Sequence, residues 1–253
     1  MNPTLILKNI SKNFQEDRGQ KLPVLKGIDL EIAAGEFFII LGPSGSGKST
    51  LLRIMSGLES EYEGKIGYGS GITPSDFSFV FQQFALFPWL TVFENIAIGL
   101  RARHTPENII KERVENELKR FNLKHFADSF PKELSGGMKQ RVGIARALTT
   151  DPKIIFMDEP FSELDSFTAE ELRKEFSHIW KGRQLVEAGA RQTIIMVTHL
   201  IEEALELADR IAVLTPRPGK IERIITNTLA KPRNKRSPEF FCLEDEIYKL
   251  IRP

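Results

Sequence analysis

Apolar and polar positions alternate along roughly the first forty residues, as in LILKNI and VLKGIDLEI. This alternation is typical of half-buried antiparallel strands, so we predict an antiparallel sheet at the N-terminus. Three later segments are unbroken apolar runs, FFIIL at 37–41, IIFM at 154–157 and TIIMV at 193–197. Such runs predict parallel strands buried on both faces. Because a loop and a helix-like stretch follow each run, we expect functional residues at the carboxyl ends of these strands.

The strand pattern disappears between about Pro88 and Leu148. Within this region ENIIKERVENELKRFNL has apolar positions at helical spacing and charges on the other face. We therefore predict a helical segment inserted at about 88–146. Beyond the last apolar run, RIAVL and KIERII flank the turn sequence TPRPG and predict two further strands.

Composition excludes several classes of protein. The 253 residues are 41% hydrophobic and 27% charged, which is typical of a globular protein with a sizeable core. A net charge of +1 gives no general attraction to nucleic acid or anionic lipid. The single cysteine, Cys242, cannot form an internal disulfide, which fits a reducing compartment. We see no signal-peptide h-region and no apolar run long enough to span a membrane, so any membrane span is expected on another chain.

The run KPRNKR at 231–236 is the one basic cluster that suggests nucleic acid or lipid. Four basic residues beside two prolines are more often a solvated arm, and we favour that interpretation. The following SPEFFCLEDEIYKLI predicts a closing amphipathic helix, with Ser237 as its cap and Pro238 at its first position.

A phosphate-binding loop is indicated by GPSGSGKS at 42–49, which follows a buried strand and precedes the helical stretch TLLRIMSGL. Its glycines let backbone N–H groups converge on phosphate oxygens at the positive end of a helix. Lys48 would add charge for the β- and γ-phosphates, and Ser49 would offer a hydroxyl to Mg²⁺. The predicted nucleotide-binding residues are Gly42, Pro43, Ser44, Gly45, Ser46, Gly47, Lys48, Ser49 and Thr50.

Two carboxylates end the buried run IIFMDEP. Asp158 is placed to hold Mg²⁺, and Glu159 to polarise an attacking water as general base. His199 ends a third strand, where we favour a contact with the γ-phosphate over a purely structural role. Gln82 follows another strand-like run but says little alone.

LSGGMKQR at 134–141 has the form of a second anion site. Ser135 precedes a stretch with apolar residues on one helical face, so it is expected at an N-cap. Gly136 and Gly137 leave exposed N–H groups with no side chain to block an anion, although a plain helix cap would look the same.

The whole set, in this order, resembles the ATP-binding-cassette (ABC) ATPases. GPSGSGKS is similar to their Walker A, Gln82 to their Q-loop, LSGGMKQR to their signature, IIFMDEP to their Walker B and SELD at 162–165 to their D-loop. His199 resembles their switch histidine. The resemblance implies a P-loop NTPase α/β fold: a parallel-sheet core, an antiparallel N-terminal sheet and a helical subdomain. It places the ATPase domain at 1–230 and an arm with a helix packing on it at 231–253.

The resemblance also implies roles for residues that the spacing alone leaves open. Phe14 would stack on adenine, and Gln82 would contact Mg²⁺ and take part in catalysis. In this family two cassettes pair head to tail, and each signature closes over the partner's ATP. Ser135, Gly136, Gly137 and Asp165 would therefore act on the nucleotide of a second copy.

Finer features resemble the nitrate/sulfonate/taurine-type importer ATPases, namely FALFPWLTVFENIAIGL, LTPRPGKI and the C-terminal tail. Departures include ITPSDFSFVFQ before the Q-loop, Glu163 in SELD, Leu200 after the histidine and the extra stretch KGRQLVEAGARQ. The implied function is ATP hydrolysis that drives import of a small, sulfonate- or nitrate-like anion.

The implied partners are a second ATPase copy, integral membrane permease subunits and a substrate-binding protein, with no nucleic acid. The chain would lie peripherally on the cytoplasmic face of the cell membrane. The alternatives are the ATPase of an ABC exporter or of a non-transport ABC complex. A small-molecule kinase would have no use for LSGG.

Overall fold

The computed structural model describes residues 3–15, 20–186 and 192–251, and these form nine strands and seven α-helices. The strands are β1 (Pro3–Gln15), β2 (Lys21–Ala33), β3 (Phe37–Leu41), β4 (Glu63–Tyr68), β5 (Phe77–Val80), β6 (Ile154–Asp158), β7 (Thr193–Thr198), β8 (Arg210–Leu214) and β9 (Ile221–Thr226). The helices are α1 (Lys48–Met55), α2 (Val92–Ala102), α3 (Glu107–Arg120), α4 (Gly136–Thr149), α5 (Ser166–Val186), α6 (Ile201–Leu207) and α7 (Pro238–Ile251). Parts of the predicted loop QEDRGQKLP (16–19) and of the stretch KGRQLVEAGARQ (187–191) lie outside the described residues.

The chain divides into two compact units, and the first comprises residues 1–75 and 190–253. Its N-terminal part is the predicted antiparallel sheet, in which β1 pairs with β2 on one side and with β4 on the other. The sequence pattern missed β4, because Glu63–Tyr68 carries few apolar residues and no residue of it is buried. Gly64 has φ 105°, and a Cβ there would collide with the backbone of Lys8 and Asn9, so this strand depends on a glycine.

The other layer of the first unit confirms the apolar-run prediction. Strand β3 pairs in parallel with β7 and with β8, and β9 joins β8 antiparallel. Every residue of β3 and β7 is buried, as expected for strands covered on both faces. Leu41 and Thr198 are paired at the carboxyl ends of β3 and β7, so the loops that follow these strands leave the sheet side by side.

The second unit comprises residues 76–189. Strands β5 and β6 pair in parallel, with Val80 opposite Met157, and Phe77 packs edge-on against Phe156 at 5.4 Å between ring centroids. Between residues 88 and 146, all of which are described, there are helices and turns but no strand, as the sequence pattern predicts. Helices α2 and α4 pack together through buried apolar side chains such as Ile96 and Val142. The domain boundaries at 230 and at 88–146 stay predictions.

The interpretation of KPRNKR as a solvated arm holds for residues 231, 232, 234 and 236, which are exposed, but not for the whole run. Arg233 and Lys235 are only partly exposed and contact α6 through hydrogen bonds and ion pairs. The sequence gives no sign of these acceptors, because two of them are backbone carbonyls. The closing helix is confirmed: it begins at Pro238, and the N–H of Phe240 donates to Ser237 Oγ at 3.2 Å. Within the described part of the chain, no helix is both long and apolar enough to cross a bilayer.

Candidate active site

The loop Gly42–Ser49 leaves the end of β3 and enters α1. Gly47 has φ 94°, and a Cβ at this position would come within 2.9 Å of the Leu25 side chain, so only glycine fits. The ammonium of Lys48 donates to the carbonyl oxygens of Gly42 and Pro43, at 3.0 Å each, and the residue is only 4% exposed. The fold therefore fixes the lysine charge at the mouth of a glycine-built loop.

This loop fits a phosphate group. The first-turn N–H groups of a helix have no acceptor within the helix, and the helix dipole makes that end positive. At Gly45, with φ 76°, a Cβ would meet nothing within 4 Å, so one side of the loop is open. The buried hydroxyl of Ser46 has no hydrogen-bond partner among the described residues. An anion with several acceptor oxygens would satisfy these donors.

His199 follows Thr198 at the carboxyl end of β7, beside the strand that leads into the phosphate-binding loop. The Thr198 hydroxyl donates to Glu203 Oε2 at 2.6 Å and accepts the N–H of Leu200 at 3.1 Å. These two bonds fix the backbone on both sides of the histidine. The structure thus brings His199 and the loop Gly42–Ser49 to one edge of the first unit.

Phe14 lies on β1 and lines a cavity of about 440 Å³ in the first unit. The Lys12 ammonium is 4.7 Å from the centre of its ring and forms an ion pair with Glu59 at 3.2 Å. The pKa of Glu59 is lowered, chiefly because its carboxylate accepts a backbone hydrogen bond from Glu61 and also because of Lys12. Phe14 is 39% exposed, which leaves surface on which a planar base could stack.

In the second unit, Asp158 is the last residue of β6 and is 4% exposed. Glu159 follows it in a left-handed backbone conformation with φ 42°. The Glu159 carbonyl accepts the N–H of Ser162 at 3.2 Å and its hydroxyl at 3.0 Å, which holds the turn closed. Non-glycine residues with this backbone are strained, and such strain is concentrated at functional positions. Asp158 is thus buried at the end of the strand, whereas Glu159 lies in the turn that follows it.

Gln82 comes two residues after β5, whose partner strand β6 ends at Asp158. Its side-chain amide donates to Glu163 Oε1 at 3.4 Å. The second unit therefore brings the glutamine and the acidic pair to the carboxyl ends of adjacent strands. The described residues contain no group of three or more His, Cys, Asp or Glu that could hold a metal ion. The assignment of Ser49, Gln82 and Asp158 as Mg²⁺ contacts stays a prediction.

The segment after Gln82 is held by two residues that sequence reasoning missed. Arg146 on α4 donates to the carbonyl oxygens of Ala85 and Phe84, at 2.8 and 3.3 Å. Burial lowers the pKa of Arg146, although an arginine remains charged near neutral pH. Asn95 on α2 is fully buried and hydrogen-bonds backbone groups between 87 and 91. Neither residue could be found from sequence, because their partners are backbone groups.

Ser135 caps α4 as predicted, since its hydroxyl accepts the N–H of Met138 at 3.3 Å. A Cβ on Gly136 would lie 3.6 Å from Leu164, in ordinary contact, whereas a Cβ on Gly137 would lie 2.6 Å from Thr168. The start of α4 is therefore packed against the segment that contains SELD.

Asp165 caps the next helix, because its carboxylate accepts the N–H of Thr168 at 3.0 Å. Hydrogen bonds from Thr168 lower the pKa of the Asp165 carboxyl, so it is ionised at neutral pH. Ser135, Gly136, Gly137 and Asp165 thus lie close together in the second unit, at the N-termini of two neighbouring helices.

Comparisons with known proteins relate the chain to one protein family. Residues 25–162 match the family model described as ABC transporter. The aliphatic sulfonates import ATP-binding protein SsuB of Bacillus anthracis is 42% identical over 247 residues, which cover 96% of this chain and 94% of that protein. The nitrate import ATP-binding protein NrtD of Synechocystis sp. is 40% identical over 260 residues, covering 98% and 95%.

Solved structures show the same fold. A dimeric structure of the ATP-binding cassette MJ0796 in a post-hydrolysis state, bound to ADP and Pi, is similar with a TM-score of 0.74 and 33% identity. The similarity covers 88% of this chain and 98% of that one. A second dimeric structure of MJ0796, described as a bacterial ABC transporter cassette, has a TM-score of 0.75. The likeness therefore extends over most of the chain.

Proposed function

Since the chain belongs to the ABC transporter family of ATP-binding proteins, we propose that it hydrolyses ATP to drive import of a small anion through a separate membrane subunit. The observation that carries the nucleotide assignment is the loop Gly42–Ser49, with Lys48 held at its mouth and the buried Ser46 hydroxyl without a partner in the described part of the chain. The ATPase domain spans 1–230, with its helical insertion at about 88–146, and residues 231–253 are an arm and a helix of that domain.

The residues divide the chemistry as follows in this proposal. The loop binds the β- and γ-phosphates, and Lys48 offsets charge that develops on the transferred group. Ser49, Gln82 and Asp158 would hold Mg²⁺, which neutralises phosphate charge when bound. Glu159 takes a proton from the water that attacks the γ-phosphorus, the bond to the β-phosphate oxygen breaks, and ADP and phosphate result. His199 contacts the γ-phosphate, and Phe14 stacks on adenine.

The active form in this proposal is a head-to-tail dimer. Two helix N-termini, at Ser135 and at Asp165, lie together, and Gly136 is exposed, so this corner can approach an anion on another molecule. The similar MJ0796 structures are dimeric, which supports a dimer for this chain. Ser135, Gly136, Gly137 and Asp165 would then complete the site of the second copy.

The membrane partner is proposed to dock on the segment Phe84–Phe93. Trp89 is 69% exposed, and its ring lies 5.6 Å from that of Phe87. Exposed aromatic side chains on an ordered backbone are typical anchors for a partner helix, and Asn95 supplies that order. The chain is then a peripheral subunit at the cytoplasmic face of the cell membrane.

The cargo we propose is a sulfonate- or nitrate-like anion, delivered by a substrate-binding protein. The relatives named for sulfonate and nitrate import support this class. Vesicles that contain the subunit with its permease and binding protein should take up an alkanesulfonate or nitrate when ATP is supplied on the cytoplasmic side. Uptake of neither anion, with ATP hydrolysis intact, would contradict the cargo class and leave the ATPase assignment untouched.

The experiment that tests the ATPase assignment is phosphate release by the purified protein with ATP and Mg²⁺. Glu159→Gln should retain nucleotide binding and lose turnover by roughly 10²–10⁴-fold, the range for loss of a general base. The matched control is Glu170→Gln, because Glu170 is a carboxylate of the same unit that forms a surface ion pair with Lys174. The control should keep wild-type turnover. Equal turnover in wild type and Glu159→Gln would overturn the assignment of Glu159.

A further inference from the structure

The basic arm, residues 231–236, is attached to helix α6 through Arg233. Its guanidinium donates to the carbonyl oxygens of Glu206 at 2.9 Å and Ala208 at 2.6 Å. Burial lowers the pKa of Arg233, although nearby Asp209 and Glu206 oppose this effect. Carbonyls at a helix C-terminus have no donors within the helix and carry the negative end of its dipole. The guanidinium therefore caps the end of α6.

Lys235 attaches the arm along the side of the same helix. Its ammonium forms ion pairs with Glu202 at 2.6 Å and with Glu206 at 3.2 Å. Burial lowers the pKa of Lys235, but hydrogen bonds and charges from the two glutamates outweigh burial and the net pKa is raised. A further ion pair joins Lys231 to Asp209 at 2.5 Å, just beyond α6. Three of the four basic side chains of the arm are thus bound within the chain, and Arg236 is exposed.

Helix α6 lacks internal means to stay formed. It has seven residues, and isolated helices of that length are unstable in water. Leu200 occupies its N-cap and makes no side-chain capping bond, and Ala208 occupies its C-cap. Asn227 donates to the carbonyl oxygens of Leu205 and Ala208, at 2.9 and 3.1 Å. Donors from Asn227 and from the arm therefore supply the C-terminal cap that α6 cannot make itself.

The opposite end of α6 carries the histidine loop. Glu203, which is buried, accepts the Thr198 hydroxyl at 2.6 Å, and that hydroxyl also accepts the N–H of Leu200. His199 lies between the two residues that these bonds connect. A shift or fraying of α6 would move Glu203, and with it the backbone that orients the His199 side chain.

We propose that Arg233 and Lys235 are positioning residues for His199, acting through α6. The arm fixes the helix, the helix fixes Glu203, and Glu203 with Thr198 fixes the histidine. The inference rests on the proposed function, because it takes His199 to be a γ-phosphate contact. It gives the basic run a role within catalysis, although Arg233 and Lys235 touch no reacting atom.

The test measures kcat and KM for ATP in Arg233→Met, Arg233→Lys and Lys235→Met. Methionine keeps much of the arginine stem and removes every donor, whereas lysine keeps the charge but lacks the planar fork whose two nitrogens bind the two carbonyls. We expect a roughly tenfold loss of kcat in Arg233→Met, since displacing a catalytic group by about 1 Å can reduce the rate by more than that. KM for ATP should stay within about twofold, because the phosphate-binding loop is untouched. Lysine should restore part of kcat.

The matched control is Arg223→Met. Arg223 forms an ion pair with Glu246 at 3.1 Å, and both side chains are about half exposed. This variant therefore removes an arginine ion pair from the same C-terminal region, but one that does not involve α6. Its kcat should equal that of wild type. If a melting curve shows that Arg233→Met does not fold, the kcat values of Arg233→Lys and Lys235→Met decide instead. A loss of kcat relative to wild type supports the inference, and wild-type kcat contradicts it.

A double-mutant cycle separates positioning from general destabilisation. In a His199→Ala background, Arg233→Met should cause no further loss of kcat, since the group being positioned is gone. An equal loss with and without His199, or a folded Arg233→Met with wild-type kcat, would overturn the inference. The proposed function fails by a different result, namely a wild-type protein that releases no phosphate from ATP, so the two failures are distinguishable.

Discussion

The guanidinium of Arg146 donates a hydrogen bond of 2.8 Å to the carbonyl oxygen of Ala85. Arg146 lies in the last turn of α4, the helix that Ser135 caps, and Ala85 lies three residues beyond Gln82. Phe84 and Ala85 both have positive φ, 22° and 47°, so their backbone requires external support. One side chain therefore couples α4 to the segment that follows Gln82.

We predict that Arg146→Met lowers the free energy of unfolding by about 1.5–3 kcal/mol, the range for hydrogen bonds to a charged group. The segment after Gln82 should also exchange its amide hydrogens faster. Denaturant titration and hydrogen exchange measure the two effects. Arg113→Met is the control, because Arg113 is an exposed arginine of the same unit. Unchanged exchange at 84–85 would show that the guanidinium does not hold this segment.

Mixed dimers test whether the signature acts on the partner's nucleotide. One subunit carries Lys48→Ala and the other Gly136→Asp, with Glu159→Gln in both to prevent turnover. Gly136 is preferred to Gly137 because its Cβ would make only ordinary contacts, and aspartate is favourable in a first helical turn. A trans arrangement leaves one complete site in the mixed dimer, so we expect about one trapped ATP per dimer and little in either homodimer.

The control for this prediction mixes Glu159→Gln subunits with subunits that carry Lys48→Ala, Gly136→Asp and Glu159→Gln together. The heterodimer of these two chains has no complete trans site, whereas the Glu159→Gln homodimers of the same mixture have two. Both heterodimers are therefore isolated with a different affinity tag on each chain, and filter binding or gel filtration with labelled ATP measures their trapping. Equal trapping in the two heterodimers would mean that LSGG is only a helix cap, and more trapping in the control would mean that it serves its own chain.

Trp89→Ala should uncouple the subunit from its permease. The exposed indole is a candidate anchor, and loss of such an anchor commonly costs about 2 kcal/mol or more of binding. ATP hydrolysis by the isolated subunit should stay near wild type, while ATP-driven uptake in the assembled transporter falls. Phe241→Ala, which removes an exposed aromatic from α7, is the control. Normal uptake by Trp89→Ala vesicles would count against docking at this segment.

The N-cap of α2 should make stability depend on acid pH. The pKa of Glu94 is lowered, mainly because its carboxylate accepts the Thr91 backbone N–H and also because of the Thr91 side chain. A carboxyl with a depressed folded-state pKa stabilises the fold above its unfolded value and loses that contribution as pH falls through the folded pKa. Glu94→Gln lacks this titration. Below about pH 4.5, the wild type should therefore lose more stability than the variant in melting experiments, and parallel curves would contradict this.

Local patterns were sufficient for much of the architecture. The buried strands β3 and β7 were predictable because runs of five and four consecutive apolar residues have no other good location. Ser135 was predictable because a cap lies next to the helix that it caps. The comparisons confirm the family that these motifs indicate together.

Non-local partners account for what the sequence did not predict. Arg146 and Arg233 donate to carbonyls of residues 61 and 27 positions away, and backbone carbonyls are the same at every position of a sequence. Strand β4 was missed for a related reason, since it is held by pairing with β1 rather than by its own apolar residues. What a side chain does to a distant backbone has no local signal.

The left-handed backbone of Glu159 has a consequence for how the chain can evolve. Glycine adopts this conformation without strain, whereas glutamate does not, so the residue assigned as general base is also one that weakens the fold. A Glu159→Gly chain should melt at a higher temperature than Glu159→Ala, although both would be inactive. Selection for thermal stability alone would then favour replacement of the Glu159 carboxylate, and selection for ATP turnover is needed to retain it.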